Sequence, residues 1–488
     1  MTAAIMLQGT GSDVGKSVLT AGLCRLLTNR GLRVRPFKPQ NMSNNAAATL
    51  SGGEIGRAQA VQAQACRILP TVDMNPVLLK PQSDKTSQII VRGKVEGVLD
   101  SRSFRNGRVS FLPSIIESFE RLRAEADIVI VEGAGSPAEV NLRAGDVANM
   151  GFARVANVPV VLIGDIDRGG VIASLAGTKA VLEEADARMI RGFIINRFRG
   201  DIAIFDEGYR LIERQTGWEG LGIVPWISAA RRLPAEDAIA FDVQSARPTQ
   251  LTIAVPILPR IANFDDLDAL AAEASVCLVL VPPGKPLPSK ADVVILPGSK
   301  STIADLHFLR EQGWDIDLAG HVRRGKRVFG LCAGYQMLGR SIADLEGIEG
   351  RPDSVAGLGY LPVDTVLRDD KKVVPVEGVR VRDGMPFSGY EIHCGQTERD
   401  PGTAPLLRFL DGDFDGAVTP DGLVAGCYVH GIFNGARQRQ AWLAEWGAAS
   451  DGVEHLSKIE ASLDELADML AKSIDIERLL AIADQRIA

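Results

Sequence analysis

Two short runs carry residue types that do chemistry at fixed spacing. The first is Gly9-Thr10-Gly11-Ser12-Asp13-Val14-Gly15-Lys16-Ser17, just after the apolar run Ala3 to Leu7. Glycines between a strand and a helix let backbone N–H groups converge on phosphate oxygens, and the helix N-terminus adds partial positive charge. In such a loop Lys16 contacts the β- and γ-phosphates and the Ser17 hydroxyl ligates Mg²⁺. The match is imperfect, because Thr10 stands where the usual pattern has glycine. The second run, Gly330-Leu331-Cys332-Ala333-Gly334, follows Val328-Phe329. Gly-x-nucleophile-x-Gly describes a sharp strand-to-helix turn that exposes the central side chain. A thiol has an unperturbed pKa of about 8.5, which a helix N-terminus or a partnered histidine lowers. Together the runs predict coupled work: one half activates a carboxyl group with ATP, and the other frees ammonia to attack it.

A nucleophilic cysteine needs a histidine from elsewhere in the fold. Five compete: His307, His321, His393, His430 and His455. His430 follows the strand-like Gly426-Cys427-Tyr428-Val429, and strand ends are where active-site residues gather in α/β sheets. It is the leading candidate, with His393 as runner-up. Glu132 ends another apolar run, in Val131-Glu132-Gly133-Ala134-Gly135. A carboxylate there sits beside the ligand crevice and offers Mg²⁺ a hard oxygen. Asp146, Asp165 and Asp167 also flank strand ends. They are candidates for the metal shell or the substrate face, the alternative being solvated or helix-capping aspartates.

The positioning elements are legible as alternation. Ala3–Gln8, Leu32–Phe37, Asp127–Val131, Val158–Gly164 and Met189–Asn196 read as strands, with helical patterns such as Ser17–Arg30 and Ile115–Glu125 between them. That pattern predicts a doubly wound, mostly parallel α/β sheet with helices on both faces. It frays after Ile223-Val224-Pro225-Trp226; residues 231–237 and 245–248 read as connecting segments. A second α/β run begins at Leu251–Leu258, with strands at Ala291–Leu296, Arg327–Leu331 and Leu423–Val429. The boundary is placed near residue 240, giving domains 1–240 and 250–488. Near the end Ile459, Leu463, Leu466 and Leu470 recur at helical spacing, an amphipathic helix that docks its apolar stripe.

Bulk properties agree with two or three domains, since 488 residues exceed one ordinary core. Hydrophobic content of 46% and charged content of 24% are ordinary for a globular enzyme. Net charge is −7 with no dense Lys/Arg tract, which argues against a nucleic-acid partner. The six cysteines are scattered without a C-x-x-C pair, so neither a disulfide framework nor a zinc site is expected. No signal peptide is evident, and runs such as Ile128–Val131 are too short to span a bilayer. A cytoplasmic location without a membrane partner is expected. The sequence sets no oligomeric state.

Beyond these readings, the first loop has one extra residue before Gly15-Lys16-Ser17 and resembles the dethiobiotin synthetase-like group of ATP-dependent ligases. That resemblance implies that Lys38, in Pro36-Phe37-Lys38-Pro39, stabilises charge on the transferring phosphoryl group, and that Asn196 contacts adenine. The region around Cys332 resembles the class I glutamine amidotransferases. This implies that Cys332 attacks the glutamine side-chain amide, that His430 shuttles protons and that a γ-glutamyl thioester forms. It also implies an oxyanion hole from the Ala333 N–H and backbone N–H groups near Gly298-Ser299. Most of that family has a glutamate two positions after the histidine, where this chain has Ile432. The third triad member is therefore missing or supplied elsewhere, a departure shared with the cobyrinate and cobyrate amidase branch.

Longer runs narrow the resemblance. Phe37 to Ser43 (FKPQNMS), Gly56 to Ala60 (GRAQA), Asp73 to Pro81 (DMNPVLLKP), Glu132 to Asn141 (EGAGSPAEVN), Asp165 to Gly170 (DIDRGG) and Gly389 to His393 (GYEIH) are similar to the cobyric acid synthase family. The resemblance implies ATP, Mg²⁺ and glutamine, and a corrinoid acceptor, adenosylcobyrinic acid a,c-diamide. Its b, d, e and g carboxylates would become amides through acyl phosphates. Arg57, Lys80, Arg168 and Arg197 are candidates to steer the acidic side arms, or ordinary surface charges. The alternatives are the a,c-diamide-forming synthetase, which shares both domain types, and a nucleotide-switch ATPase with an inert glutaminase-like domain.

Overall fold

Sheets buried on both faces need near-continuous runs of β-branched and aliphatic residues, and two sets of such runs assemble here. The computed structural model describes residues 2–82, 85–100, 108–234, 249–485 and 487. The expected boundary near 240 and the connecting segment 245–248 lie outside the described residues.

The first set forms a six-stranded parallel sheet: β1 (Ala3–Gly9), β2 (Val34–Phe37), β3 (Ile128–Glu132), β4 (Val160–Asp165), β5 (Ile190–Phe198) and β6 (Glu219–Pro225). Their spatial order is β6-β5-β4-β1-β3-β2. The order reverses beside β1, so the loop after β1 opens into the crevice at the carboxyl ends of the strands. That loop runs into α1 (Lys16–Asn29). A second helix, α2 (Arg57–Ala65), packs against α1 and begins at Gly56. The second set of strands is β7 (Leu251–Pro256), β8 (Val276–Val281), β9 (Val293–Leu296), β10 (Arg327–Leu331), the short antiparallel β11 (Ala417–Val418) and β12 (Val424–Cys427), ordered β8-β7-β9-β10-β12-β11. The short α3 (Ala333–Leu338) follows β10 directly.

The alternation located β1 to β5, β7, β9, β10 and β12 to within a few residues. It missed β6, β8 and β11, and two further β structures that bear on the sites. One is a four-stranded sheet from Gln40–Met42, Val77–Pro81, Thr86–Val91 and Lys94–Asp100. The other is the long hairpin of Val363–Arg380 with Pro386–Arg399. Its first strand carries the charge run Arg368 to Lys372, which interrupts the period-two pattern because that stretch of ribbon is largely exposed.

The tail docks as its stripe requires, but on the first half. Helices α4 (His455–Ser473) and α5 (Ile476–Ala483) put Ile459, Leu463, Leu466 and Leu470 into one buried cluster with Ile5, Leu7, Leu23 and Leu27. A Cβ on Gly22 would lie 2.5 Å from Leu470 Cδ1, so glycine permits the close crossing of α1 and α4. Arg25, fully buried, pairs with Glu460 across the same contact. Further contacts join the halves: Arg57 to Asp265 at 3.1 Å, Lys371 to Glu54, and Ile392 packed with Ala46, Leu78 and Ile90.

Leu466→Ala leaves a cavity under α4 and is expected to cost about 2–5 kcal/mol of stability. Urea denaturation followed by fluorescence reads it, and an unchanged midpoint would show that the tail is dispensable to the first core.

Candidate active sites

Backbone geometry builds the phosphate loop. Gly15 has φ 92°, in the left-handed region, and a Cβ there would lie 2.3 Å from Asn196 Nδ2. Only glycine fits. A Cβ on Gly9 would meet Val14 Cγ2 at 2.5 Å. The Thr10 N–H donates to the Ile163 carbonyl at 3.0 Å, tying the loop to β4. Lys16 folds back over the loop, with Nζ 3.1 Å from the carbonyls of both Gly11 and Gly135.

Glu132 is fully buried at the end of β3 and gathers three side chains. The Ser17 hydroxyl donates to Oε1 at 2.7 Å, Lys38 Nζ lies 2.8 Å from the same oxygen, and Gln62 Nε2 donates to Oε2 at 2.5 Å. The loop, Lys38 and Glu132 thus meet at one point, as their strand-end positions predict. The Ser17 and Glu132 oxygens form a hard-oxygen pair at the loop, a donor set that fits Mg²⁺.

The remaining candidates divide. Asn196 Nδ2 donates to the Val14 carbonyl at 2.8 Å, bracing the loop from below; an adenine contact would fall to its Oδ1. Asp146 caps the helix Met150–Ala156, accepting from the N–H groups of Ala148, Asn149 and Gly151 at 2.8–2.9 Å. These partners account for Asp146 without a ligand. Asp165 accepts from the Asp167 N–H at 2.9 Å and pairs with Arg197 at 3.0 Å. Asp167 pairs with Arg199 at 2.9 Å. Among the described residues no group of three or more His, Cys, Asp or Glu converges as a metal cluster. The four cations considered for steering acidic groups have carboxylate partners of their own: Arg57 with Asp265, Lys80 with Glu54 at 2.6 Å, Arg168 with Asp13 at 2.7 Å, and Arg197 with Asp165.

At the second site Cys332 sits between β10 and α3 with φ 51°, an unusual value for a residue with a Cβ. Such strain persists only where the surroundings over-determine it. Here they do. A Cβ on Gly334 would lie 2.1 Å from the Leu296 carbonyl oxygen, and one on Gly330 would lie 2.6 Å from the Gly334 oxygen. The Cys332 N–H donates to the Cys427 carbonyl at 2.8 Å. Cys332 is 8% exposed and opens into a cavity also lined by Gly298, Ser299, Ala333 and His430. The expected nucleophile, the leading histidine and the expected oxyanion donors therefore line one cavity. Cys332 Sγ lies 3.7 Å from the Ile392 carbonyl oxygen, and His430 lines the same cavity. His393 lines the same cavity but turns its ring nitrogens to the Gly395 carbonyl at 2.8 Å and Glu391 at 3.3 Å, stacking on Tyr428.

Sequence reasoning left the third member open, and Asp266 fills that place. Its Oδ2 lies 2.7 Å from His430 Nδ1, and its Oδ1 accepts the Gly431 N–H at 2.5 Å. Ile432 is instead fully buried in the apolar core. Asp266 lies on the turn Phe264–Leu267, within the acidic run Asp265-Asp266-Leu267-Asp268, and no spacing rule links it to a histidine so far downstream. Burial opposes charge on His430, yet the Asp266 carboxylate outweighs it and holds the imidazole well above its ordinary pKa.

Further charged residues line the cavity. Lys300 and Lys371 line it with Glu349, and Lys80 reaches in from the first half. Lys80 and Lys371 share the buried Glu54, whose carboxyl is held down to about 2 because the two lysines outweigh burial. Burial drops Lys80 to about 8 despite that partner.

Comparison with known proteins matches two family models to the chain. Residues 5–240 match the CobQ/CobB/MinD/ParA nucleotide binding domain family, and residues 252–438 match the CobB/CobQ-like glutamine amidotransferase domain family. The chain is 59% identical over 484 residues to the cobyric acid synthase of Methylorubrum populi, covering 99% of each chain. It is 57% identical over 481 residues to that of Rhizorhabdus wittichii, covering 98% of this chain and 99% of the relative. It is 57% identical over 487 residues to that of Beijerinckia indica, covering 99% of this chain and 100% of the relative.

Asp266→Asn keeps the shape and removes the charge. The His430 pKa is then expected to fall, because burial is left without the opposing carboxylate, read by NMR titration of the imidazole. An unchanged value would assign the elevation to another group. Because the folded pKa is the raised one, the stabilisation from the pair is full below the unfolded value and is lost as pH rises through the folded value. The variant loses that dependence.

Proposed function

The chain belongs to the cobyric acid synthase family, and from that premise we propose that it converts the b, d, e and g carboxylates of adenosylcobyrinic acid a,c-diamide to amides, using ATP and glutamine. The observation that carries this is the presence in one chain of the Lys16–Ser17–Glu132 site and the Cys332–His430–Asp266 site, joined through direct contacts between the halves.

In the glutaminase half, comprising residues 250 onward without the tail that packs on the first core, the thiol proton resides on His430, which Asp266 holds in its charged form, and the Cys332 thiolate attacks the amide carbon of glutamine. The Ala333 N–H and the backbone at Gly298-Ser299 stabilise the oxyanion, a contribution of several kcal/mol when donors are preorganised. Ammonia departs with the proton that His430 returns. Water then cleaves the γ-glutamyl thioester to glutamate and free thiol. Asp266 fixes the tautomer of His430 and stabilises its charged form, the role a third triad member plays.

In the synthetase half, residues 1–240, a corrinoid carboxylate oxygen attacks the γ-phosphorus of ATP and ADP leaves. The resulting acyl phosphate has the leaving group that a bare carboxylate lacks. Ammonia adds to it and phosphate departs, giving the amide. The backbone of Gly9 to Gly15 cradles the phosphates, while Lys16 and Lys38 balance charge on the phosphoryl group. Ser17 and Glu132 would hold Mg²⁺, which when bound neutralises the phosphate oxygens. Asn196 Oδ1 accepts from the adenine amino group. No helix among the described residues is long and apolar enough to cross a membrane.

Two variants separate the half-reactions. Cys332→Ala is expected to lose glutamine-driven synthesis and keep synthesis from added ammonium. Full glutamine-dependent activity in that variant would rule out Cys332 as the nucleophile. Lys16→Ala is expected to stop amide formation from either nitrogen source while leaving some glutamine hydrolysis; unchanged synthesis would refute its phosphate role. Offering cobyrinic acid or its a,c-diamide to the wild type, with mass spectrometry of the products, tests the acceptor. Amidation of only the unamidated acid would reject the a,c-diamide.

A further inference from the structure

The turn that carries Asp266 is held from the other half of the molecule. Asn263 opens it in the left-handed region at φ 51°. Its Oδ1 accepts the Ala46 N–H at 3.2 Å, and its Nδ2 faces His430 Nε2 at 3.4 Å. Next in the chain but one, Asp265 pairs with Arg57 at 3.1 Å. Both anchors, Ala46 and Arg57, belong to the synthetase half.

Arg57 is the first residue of α2, and the start of that helix is fixed: the Arg57 N–H donates to the Asn45 carbonyl and the Gly56 N–H to Asn75 Oδ1, each at 3.0 Å. Five residues along the same short helix, Gln62 bonds Glu132 beside the phosphate loop. One rigid element therefore touches the acceptor site at one end and the histidine clamp at the other. The clamp is also sensitive to charge. Asp265 and Asp266 are buried, and Asp268 half-buried, around one guanidinium and one imidazole. Removing the guanidinium leaves buried carboxylates to repel one another, a strongly unfavourable arrangement. The Arg57–Asp265 contact is not a full fork, since Arg57 Nε and Asp265 Oδ1 are buried without hydrogen-bond partners. A pair joined at one point can shift without being broken.

We propose that Arg57 is a positioning residue for glutamine hydrolysis: through Asp265 it sets the turn from which Asp266 orients His430, so that the state of the synthetase site, felt through Gln62 and α2, controls release of ammonia. This rests on the Cys332–His430–Asp266 reading of the glutaminase. Coupling of this kind is reciprocal in binding terms, so glutamine occupancy and acceptor-site occupancy strengthen each other.

The test uses the full chain and compares Arg57→Gln, Arg57→Lys and Asp265→Asn with wild type. Glutamate release is measured with and without ATP and corrinoid, and amide synthesis with glutamine or ammonium. Arg57→Gln is expected to lower kcat for glutamine hydrolysis about 10- to 100-fold, the scale of a misplaced catalytic group, with little change in KM for glutamine. Stimulation by ATP and corrinoid should vanish, ammonium-driven synthesis should stay near wild type, and Arg57→Lys should recover part of the loss. Asp265→Asn should reproduce the effect, and the double variant should be no worse than either single one, because both remove the same link. The proposal is overturned by an unchanged hydrolysis rate in Arg57→Gln, by an equal loss with ammonium, or by additive losses in the double variant. If Arg57→Gln does not fold, the Asp265→Asn arm decides by the same criteria. Failure of the wild type to release glutamate would instead remove the glutaminase reading itself, and this inference with it.

Discussion

The glutaminase half is organised around a buried ion pair between Asp266 and His430. Neither side chain is more than 2% exposed. Desolvating two such charges is costly, and their attraction offsets the cost only with good geometry and satisfied neighbours. The surroundings provide both. Gly431 donates its N–H to the second carboxylate oxygen, and Asn263 Nδ2 faces the other imidazole nitrogen at 3.4 Å. The backbone of His430 bridges to Tyr390 on the long hairpin, with N···O distances of 2.8 and 3.1 Å. Gly389 makes that bridge possible, since a Cβ there would lie 2.3 Å from the His430 oxygen. A hairpin that looks peripheral in the chain is thus a wall of the site.

Both sites use the same device on different sheets. A parallel strand ends, the backbone turns in a conformation that requires glycine nearby, and a helix begins. In the first half the turn lies at the strand-order reversal beside β1, with Lys16 folded over it onto the carbonyls of Gly11 and Gly135. In the second it leaves one thiol at the top of β10. The strain at Cys332 and the left-handed Gly15 are held by close backbone and side-chain approaches rather than by many weak contacts. Substitution of the flanking glycines therefore fails sterically before any chemistry is considered.

The two halves are less separate than their sequence order suggests. The tail returns to complete the first core, burying α4 against α1. The glutaminase cavity receives Lys80 from the synthetase half, and Glu54 from that half binds Lys371 of the other. Such buried cross-domain charges cannot be parted without leaving one unpaired. The contact surface is consequently a fixed part of the glutaminase cavity.

Local pattern pointed to most strands of the two sheets, the glycine-rich loop, the thiol turn and Glu132, because each depends on residues close together in the chain: apolar runs, glycines at fixed offsets and a polar residue where a buried strand ends; the expectation for Lys38 came from the family resemblance. The choice between His430 and His393 was open until the fold turned the ring nitrogens of His393 onto Gly395 and Glu391. Asp266, Gln62, the lysines around Glu54 and the docking of the tail were decided only by tertiary structure. Each is a partnership across a long stretch of chain, and no periodicity records which distant carboxylate will face a given histidine. Asp146 shows the converse limit: its strand-flanking place looks like that of a ligand, and only the three N–H groups converging on it reveal a helix cap. Periodic burial and turn geometry are properties of neighbouring residues, whereas the pairing of buried charge belongs to the assembled core.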